Sequence, residues 1–234
     1  VPQDLHFVVV DLKAQKDTRE ILNRLNHCYP FAETEVQKNV QKFIGPISRD
    51  ITLEAVEALR KGDAQRLGML MKRAQEGFDR YVAPACPSQL TAPVLHRVLQ
   101  YPHIQPYVWG GKGVGSQGDG SAQFIVKDAS AQERVAEILT SELGMDCLAL
   151  TLRSGRRVRK AVIPAAGFGT RMFPASKAVK KELFPIIDCE GRVKPIIMAI
   201  VEEAVIGGVD EVCVVVQKTD RDLFEDFFGS PPTI

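Results

Sequence analysis

Residues 161–177, AVIPAAGFGTRMFPASK, constrain the fold more tightly than any other stretch of this chain. A short β-branched strand, Ala161-Val162-Ile163, runs directly into a loop punctuated by glycine and proline, a pattern that ends the strand and forces tight turns. Downstream, an apolar segment from about Pro195 to Ile206 carries proline at its start and Gly207-Gly208 at its end, the asymmetry of a helix. Glu211–Gln217 (EVCVVVQ) then reads as an apolar strand buried on both faces. Strand, long loop, helix, strand is the opening of a parallel α/β sheet with a right-handed crossover. Asp220–Phe228 predicts a further helix, closed by Gly229 and Pro231.

Charge divides the chain at the same place. Residues 153–194 carry 11 basic and 3 acidic side chains, against a net of −1 before them and −6 after them. The run Arg153, Arg156, Arg157, Arg159 and Lys160 reads as a solvated linker. Arg171, Lys177, Lys180 and Lys181 differ, because glycines and prolines interleave them. That combination suits a loop that holds phosphate. The boundary therefore falls near Arg153–Arg159, giving one domain over 1–153 and part of another over 159–234.

The first region predicts an α+β domain. His6–Leu12 reads as a buried strand, and Asp17-Thr18 offers an N-cap for a helix to about Asn26. Helical spacing continues over 33–44 and in two helices between Asp50 and Tyr81, with Gly62-Asp63 as their turn, then over Thr91–Leu99. Ala122–Val126 and Asp146–Leu152 read as strands, and 130–143 as an amphipathic helix bearing Val135, Ile138, Leu139 and Leu143 on one face. Strands and helices in this order pack as a ferredoxin-like α+β fold. Between them lies GGKGVGSQGDG, residues 110–120. Its Gly113-Val114-Gly115-Ser116-Gln117-Gly118 matches GxGxxG, yet a strand follows where the dinucleotide fingerprint needs a helix. On these residues alone, turn geometry and phosphate binding both stay open.

Several classes are excluded. With 45% hydrophobic residues the 234-residue chain can bury a real core. No apolar run reaches the roughly 20 residues of a membrane span, and no secretory signal is visible. A net charge of +1 and a basic segment without interleaved aromatics argue against nucleic-acid binding. Cys28, Cys86, Cys147, Cys189 and Cys213 never form CxxC, and the four histidines lack metal spacing, so reduced cytoplasmic thiols and no protein metal site are expected. With no initiator Met and an abrupt Pro232-Thr233-Ile234, a piece of something larger is the expectation.

Two resemblances add to this reading. Ala161 to Lys177, continuing through Lys181-Glu182-Leu183-Phe184-Pro185, resembles the signature of sugar-1-phosphate nucleotidyltransferases, and most of all UTP–glucose-1-phosphate uridylyltransferases. The resemblance implies a partial Rossmann-like α/β domain. Ala165, Ala166, Gly167, Gly169, Thr170 and Arg171 would bind the nucleotide, with Arg171 and Lys181 acting on the reacting phosphates. Its substrates would be UTP or another NTP and a sugar 1-phosphate, with Mg²⁺ bridging phosphates through ligands outside this chain. Lys180 departs from the pattern, which has proline there. Asp4–Leu152 resembles the C-terminal domain of GHMP small-molecule kinases, whose glycine motif is met by Gly110-Gly111-Lys112, Gly113, Gly115, Ser116, Gly118 and Gly120. Gln117 and Asp119 stand where that family has glycine, and a carboxylate beside phosphate would repel it. This second resemblance implies an ATP-dependent sugar kinase whose ATP loop and catalytic acid lie in an N-terminal domain. Together they imply a fragment of a bifunctional sugar-activating enzyme, inactive alone. The alternative is a non-catalytic scaffold or subunit-interface module, which would oligomerise through unpaired strand edges.

Overall fold

β1 (Leu5–Asp11) lies at the centre of the first sheet because its alternate side chains are apolar and its neighbours supply two antiparallel partners. The computed structural model describes residues 1–155, 157–188 and 190–229, with the side chain of Arg171 left out. The chain forms two compact units, Val1–Gly155 and Arg156–Ile234.

In the first unit, β1 leads through α1 (Thr18–Asn26), α2 (Glu35–Lys42), α3 (Ser48–Lys61), α4 (Ala64–Tyr81), α5 (Pro87–Leu90) and α6 (Pro93–Leu99) to β2 (Val108–Gly113). β3 (Ser121–Val126), α7 (Ala129–Leu143) and β4 (Asp146–Leu152) complete it. The sheet order is β2-β3-β1-β4, all antiparallel, with Val8 opposite Phe124 on one side and Ala149 on the other. This is the ferredoxin-like order expected from the sequence.

Both faces of the sheet carry helices. Val8, Val10 and Phe124 pack with Val135, Ile138 and Leu139 of α7 and Leu95 of α6. Phe7, Ile125 and Trp109 point the other way, onto Ile51 and Ala58 of α3 and Leu67, Leu70 and Met71 of α4. The α4–β2 approach is glycine on glycine. A Cβ on Gly68 would stand 2.6 Å from the Trp109 backbone, and one on Gly110 2.1 Å from the Gly68 carbonyl oxygen. Gly110-Gly111 of the expected loop is thus strand, with Gly110 held to glycine by the helix above it and Gly111 against the Phe124 ring.

The helix ends follow their residues. Asp17 caps α1 by accepting from Arg19 and Glu20, and Thr34 and Gln37 form a capping box on α2. Gly62 ends α3 with φ +70°, at the expected turn. The sequence separates the 33–44 helix from the next, whereas the structure joins them through one wide π turn, Phe43–Ile47. Pro46 inside that turn has no N–H to donate, and a widened turn accommodates the missing bond.

In the second unit, β5 (Lys160–Pro164) pairs in parallel with β8 (Glu211–Val215), Ile163 opposite Val214. Between them come a short hairpin, β6 (Pro185–Ile187) with β7 (Val193–Pro195), and α8 (Ile196–Ile206); α9 (Arg221–Gly229) follows. Ile163, Ile197 and Phe224 are buried among Leu183, Val201, Val212 and Val214. The doubly buried β8 expected from EVCVVVQ is corrected here: Glu211, Cys213 and Val215 are exposed, as is Val162 of β5. The parallel pair is covered on one face by α8 and α9, so only alternate residues reach a core. The expected linker is also partly engaged. Arg157 and Arg159 pair with Asp210 at 3.3 and 2.8 Å, while Arg156 lies outside the described residues. Cys28, Cys86, Cys147 and Cys213 are free thiols; Cys189 and the Pro231 stop lie outside the described residues. Among the described residues no helix is long and apolar enough to cross a membrane.

Candidate functional site

The loop after β5 is held from below by the segment that follows β8. Ala165 N–H donates to the Val215 carbonyl at 2.7 Å, extending the parallel ladder by one bond, and the Ala165 side chain is buried. Gln217 Nε2 donates to the Ala166 carbonyl at 2.8 Å. Beyond this clamp Gly167 and Gly169 flank Phe168, whose side chain is exposed. Gly169 takes φ +64° and starts a single 3₁₀ turn, Thr170–Met172, which holds the Arg171 backbone. The Arg171 side chain is outside the described atoms. Thr170 is exposed. The loop sits at the carboxyl end of a parallel strand, the place where open α/β sheets receive ligands.

Lys181 is brought to this loop. A Cβ on Gly167 would stand 2.9 Å from Lys181 Nζ, so the ammonium lies against the bare backbone of the loop. A side chain at position 167 would have to push the lysine tip aside. Lys181 opens a short turn, Lys181–Leu183, whose Leu183 packs into the Ile163–Ile197–Phe224 core. Its neighbours are also fixed. Lys180 Nζ pairs with Asp220 Oδ2 at 2.8 Å, and Glu182 is buried 3.3 Å from Lys181 Nζ, with neither carboxylate oxygen hydrogen-bonded among the described residues. Lys177 lies 5.2 Å from the centre of the Phe173 ring, on the exposed side.

Thus Ala165, Ala166, Gly167, Gly169, Thr170 and Lys181 form one constellation. Sequence reading missed Gln217, Asp220 and Glu182. Gln217 and Asp220 sit far along the chain, and the signal was only their position just after an apolar strand. Glu182 stood inside the signature without a role.

The glycine loop of the first unit is largely consumed by its own fold. Gly113 is buried, its N–H donating to Gln75 Oε1 at 2.7 Å. Gln117 and Gly118 are buried with φ +63° and +70°. Asp119 turns inward and caps α6, accepting from Leu95 N–H at 2.8 Å, so its charge satisfies a helix end. Gly115 and Ser116 instead line a cavity of about 520 Å³ with Lys112, Phe43, Ile44 and Phe78. Burial pushes the Lys112 ammonium pKa down.

Among the described residues no group of three or more His, Cys, Asp or Glu side chains could hold a metal ion. Near the loop after β5, Glu182 and Asp220 each lie within ion-pair distance of a lysine, and among the described residues no further ligand joins them, so they do not fit a Mg²⁺ site.

Comparison with known proteins finds likenesses to each of the two units. Residues 160–231 match the Nucleotidyl transferase family model. Over 76 residues the chain is 47% identical to the UTP–glucose-1-phosphate uridylyltransferase of Bacillus subtilis (strain 168), covering 32% of this chain and 24% of that protein. The chain thus spans about a quarter of that relative's length. A Lin0012 protein from Listeria innocua aligns with TM-score 0.51 at 20% identity, over 63% of this chain and 39% of that one, a likeness of fold. Lactococcus lactis galactokinase complexed with galactose aligns with TM-score 0.45 at 12% identity, over 65% of this chain and 46% of that one.

Proposed function

We propose that the second unit is the nucleotide-binding front of a nucleotidyltransferase that uses UTP and a sugar 1-phosphate. The observation that carries this reading is the Lys181 ammonium lying against the side-chain-free backbone at Gly167, in a segment half-identical to a uridylyltransferase. In this reading a sugar-1-phosphate oxygen attacks the α-phosphorus of UTP, the bond to the β-phosphate oxygen breaks, and UDP-sugar and pyrophosphate form. Backbone N–H groups at Gly167 and Gly169 approach the triphosphate closely, as glycine permits. Arg171 supplies a cationic fork to the β- and γ-phosphates, and Lys181 neutralises charge developing at the reacting phosphate. Mg²⁺ belongs to the parent enzyme, and no step here is assigned to it. Ala165 and Ala166 leave room for the base.

The first unit is proposed as the C-terminal part of an ATP-dependent sugar kinase, with Lys112, Gly115 and Ser116 facing its cavity. A kinase that makes a sugar 1-phosphate would supply the substrate of the following domain, so the intact parent would convert a free sugar into a nucleotide sugar. Titration of the 234-residue chain with UTP tests the reading. Saturable binding that Arg171→Ala weakens about tenfold or more, as expected for a lost charge-assisted phosphate contact, supports it. No UTP binding, with no effect of Arg171→Ala, favours a scaffold or subunit-interface module.

A further inference from the structure

Lys180 departs from the signature that surrounds it, and the structure gives the departure a partner. Asp220, the last residue of the one-turn Lys218–Asp220 segment before α9, is buried although charged. Its Oδ2 takes the Lys180 ammonium at 2.8 Å, and its Oδ1 lies 3.3 Å from the Thr219 hydroxyl, which donates to it. Lys180 itself is half-buried, with an extended backbone (φ −58°, ψ 135°). A charged pair this enclosed fixes geometry more than it adds stability, since desolvation offsets much of the attraction. What it fixes is the residue next door. Lys181 lies between Leu183 in the core and the paired Lys180, and its ammonium stands beside Gly167 and 3.3 Å from a Glu182 carboxylate oxygen. The pair also joins the two segments that frame the loop, because Gln217, three residues before Asp220, holds the Ala166 carbonyl.

We infer that Lys180 and Asp220 form a latch that positions Lys181 for the triphosphate, making both positioning residues of the nucleotide site. The inference rests on the nucleotide-binding reading above. Stiffness, and not charge at Lys180, is what the latch supplies. The φ of −58° is one that proline adopts, and among the described residues the Lys180 N–H donates no backbone hydrogen bond, so Lys180→Pro restrains the same backbone without an ion pair.

The test measures UTP and uridine affinity of the 234-residue chain and its variants by calorimetry, with near-UV circular dichroism as a check of fold. Lys180→Ala and Asp220→Asn should each weaken UTP binding about fivefold while leaving uridine affinity unchanged, within the range of coupling between contacting residues. The Lys180→Ala/Asp220→Asn double variant should lose no more than either single change. Lys180→Pro should restore UTP affinity to within about twofold of the native chain, in line with its compatible φ. Equal weakening of UTP and uridine, or a Lys180→Ala chain that binds UTP like the native one, overturns the latch while leaving the nucleotide reading intact. A native chain that binds no UTP overturns both.

Discussion

Asp188 shows how much a single loop residue can organise. It sits in the turn between β6 and β7 and accepts from the Glu190 and Arg192 backbone N–H groups, both at 2.9 Å. Its carboxylate also pairs with Lys194 at 2.8 Å and Arg192 at 3.0 Å. The Lys194 hydrogen bond, and then the Arg192 backbone, hold its pKa well below the usual carboxylate range. A depressed folded pKa means the unfolded chain takes up the proton first. Its stabilising contribution is therefore complete above the unfolded value of about 4 and is lost as pH falls through the folded value. Asp188→Asn should lower the thermal midpoint of the second unit at neutral pH and flatten its decline between about pH 5 and pH 2. An unchanged acid profile would remove Asp188 from that role. The hub role of Asp188 depends on the register of the hairpin, which no periodicity reveals in segments of three residues.

Elements were legible where apolar spacing was long and unambiguous. The strands over 6–12, 122–126 and 146–152 and the helices between 50 and 81 and over 130–143 needed little more than periodicity and caps. β2 was hidden because its glycines imitate a loop; they are strand residues, and Gly110 packs directly on Gly68 of α4. That contact makes a sharp test. Gly68→Ala gains about 1 kcal/mol of helix propensity, but its methyl would meet backbone at 2.6 Å, which cannot move aside like a flexible side chain. Urea unfolding should show a net loss of about 1–3 kcal/mol, the usual cost of overpacking. Gly45→Ala, whose methyl meets nothing within 4 Å, should be neutral by comparison. Equal effects would contradict the close α4–β2 packing. β8 was misjudged for a related reason: an apolar run reports what a full sheet would bury, whereas here alternate residues of the parallel pair stay exposed.

At the scale of the whole molecule, the near-neutral net charge conceals the +8 segment that carries the candidate nucleotide site. The signature residues were legible because fixed spacing tied glycines and cations together; their clamp, Gln217 and Asp220, was not, because the fold alone returns them to the loop. The chain covers about a quarter of the relative it matches and exposes Val162 and Ile206 at 66% and 86%. With UTP and glucose 1-phosphate it should release no pyrophosphate above background, and robust release would contradict its proposed standing as a fragment. Where UTP binds is read out by amide-resolved NMR during UTP titration. Saturable shifts are expected at Gly167, Gly169 and Thr170, with Gly113–Gly118 unmoved. Silent amides across residues 165–171, or shifts confined to the first unit, would contradict it.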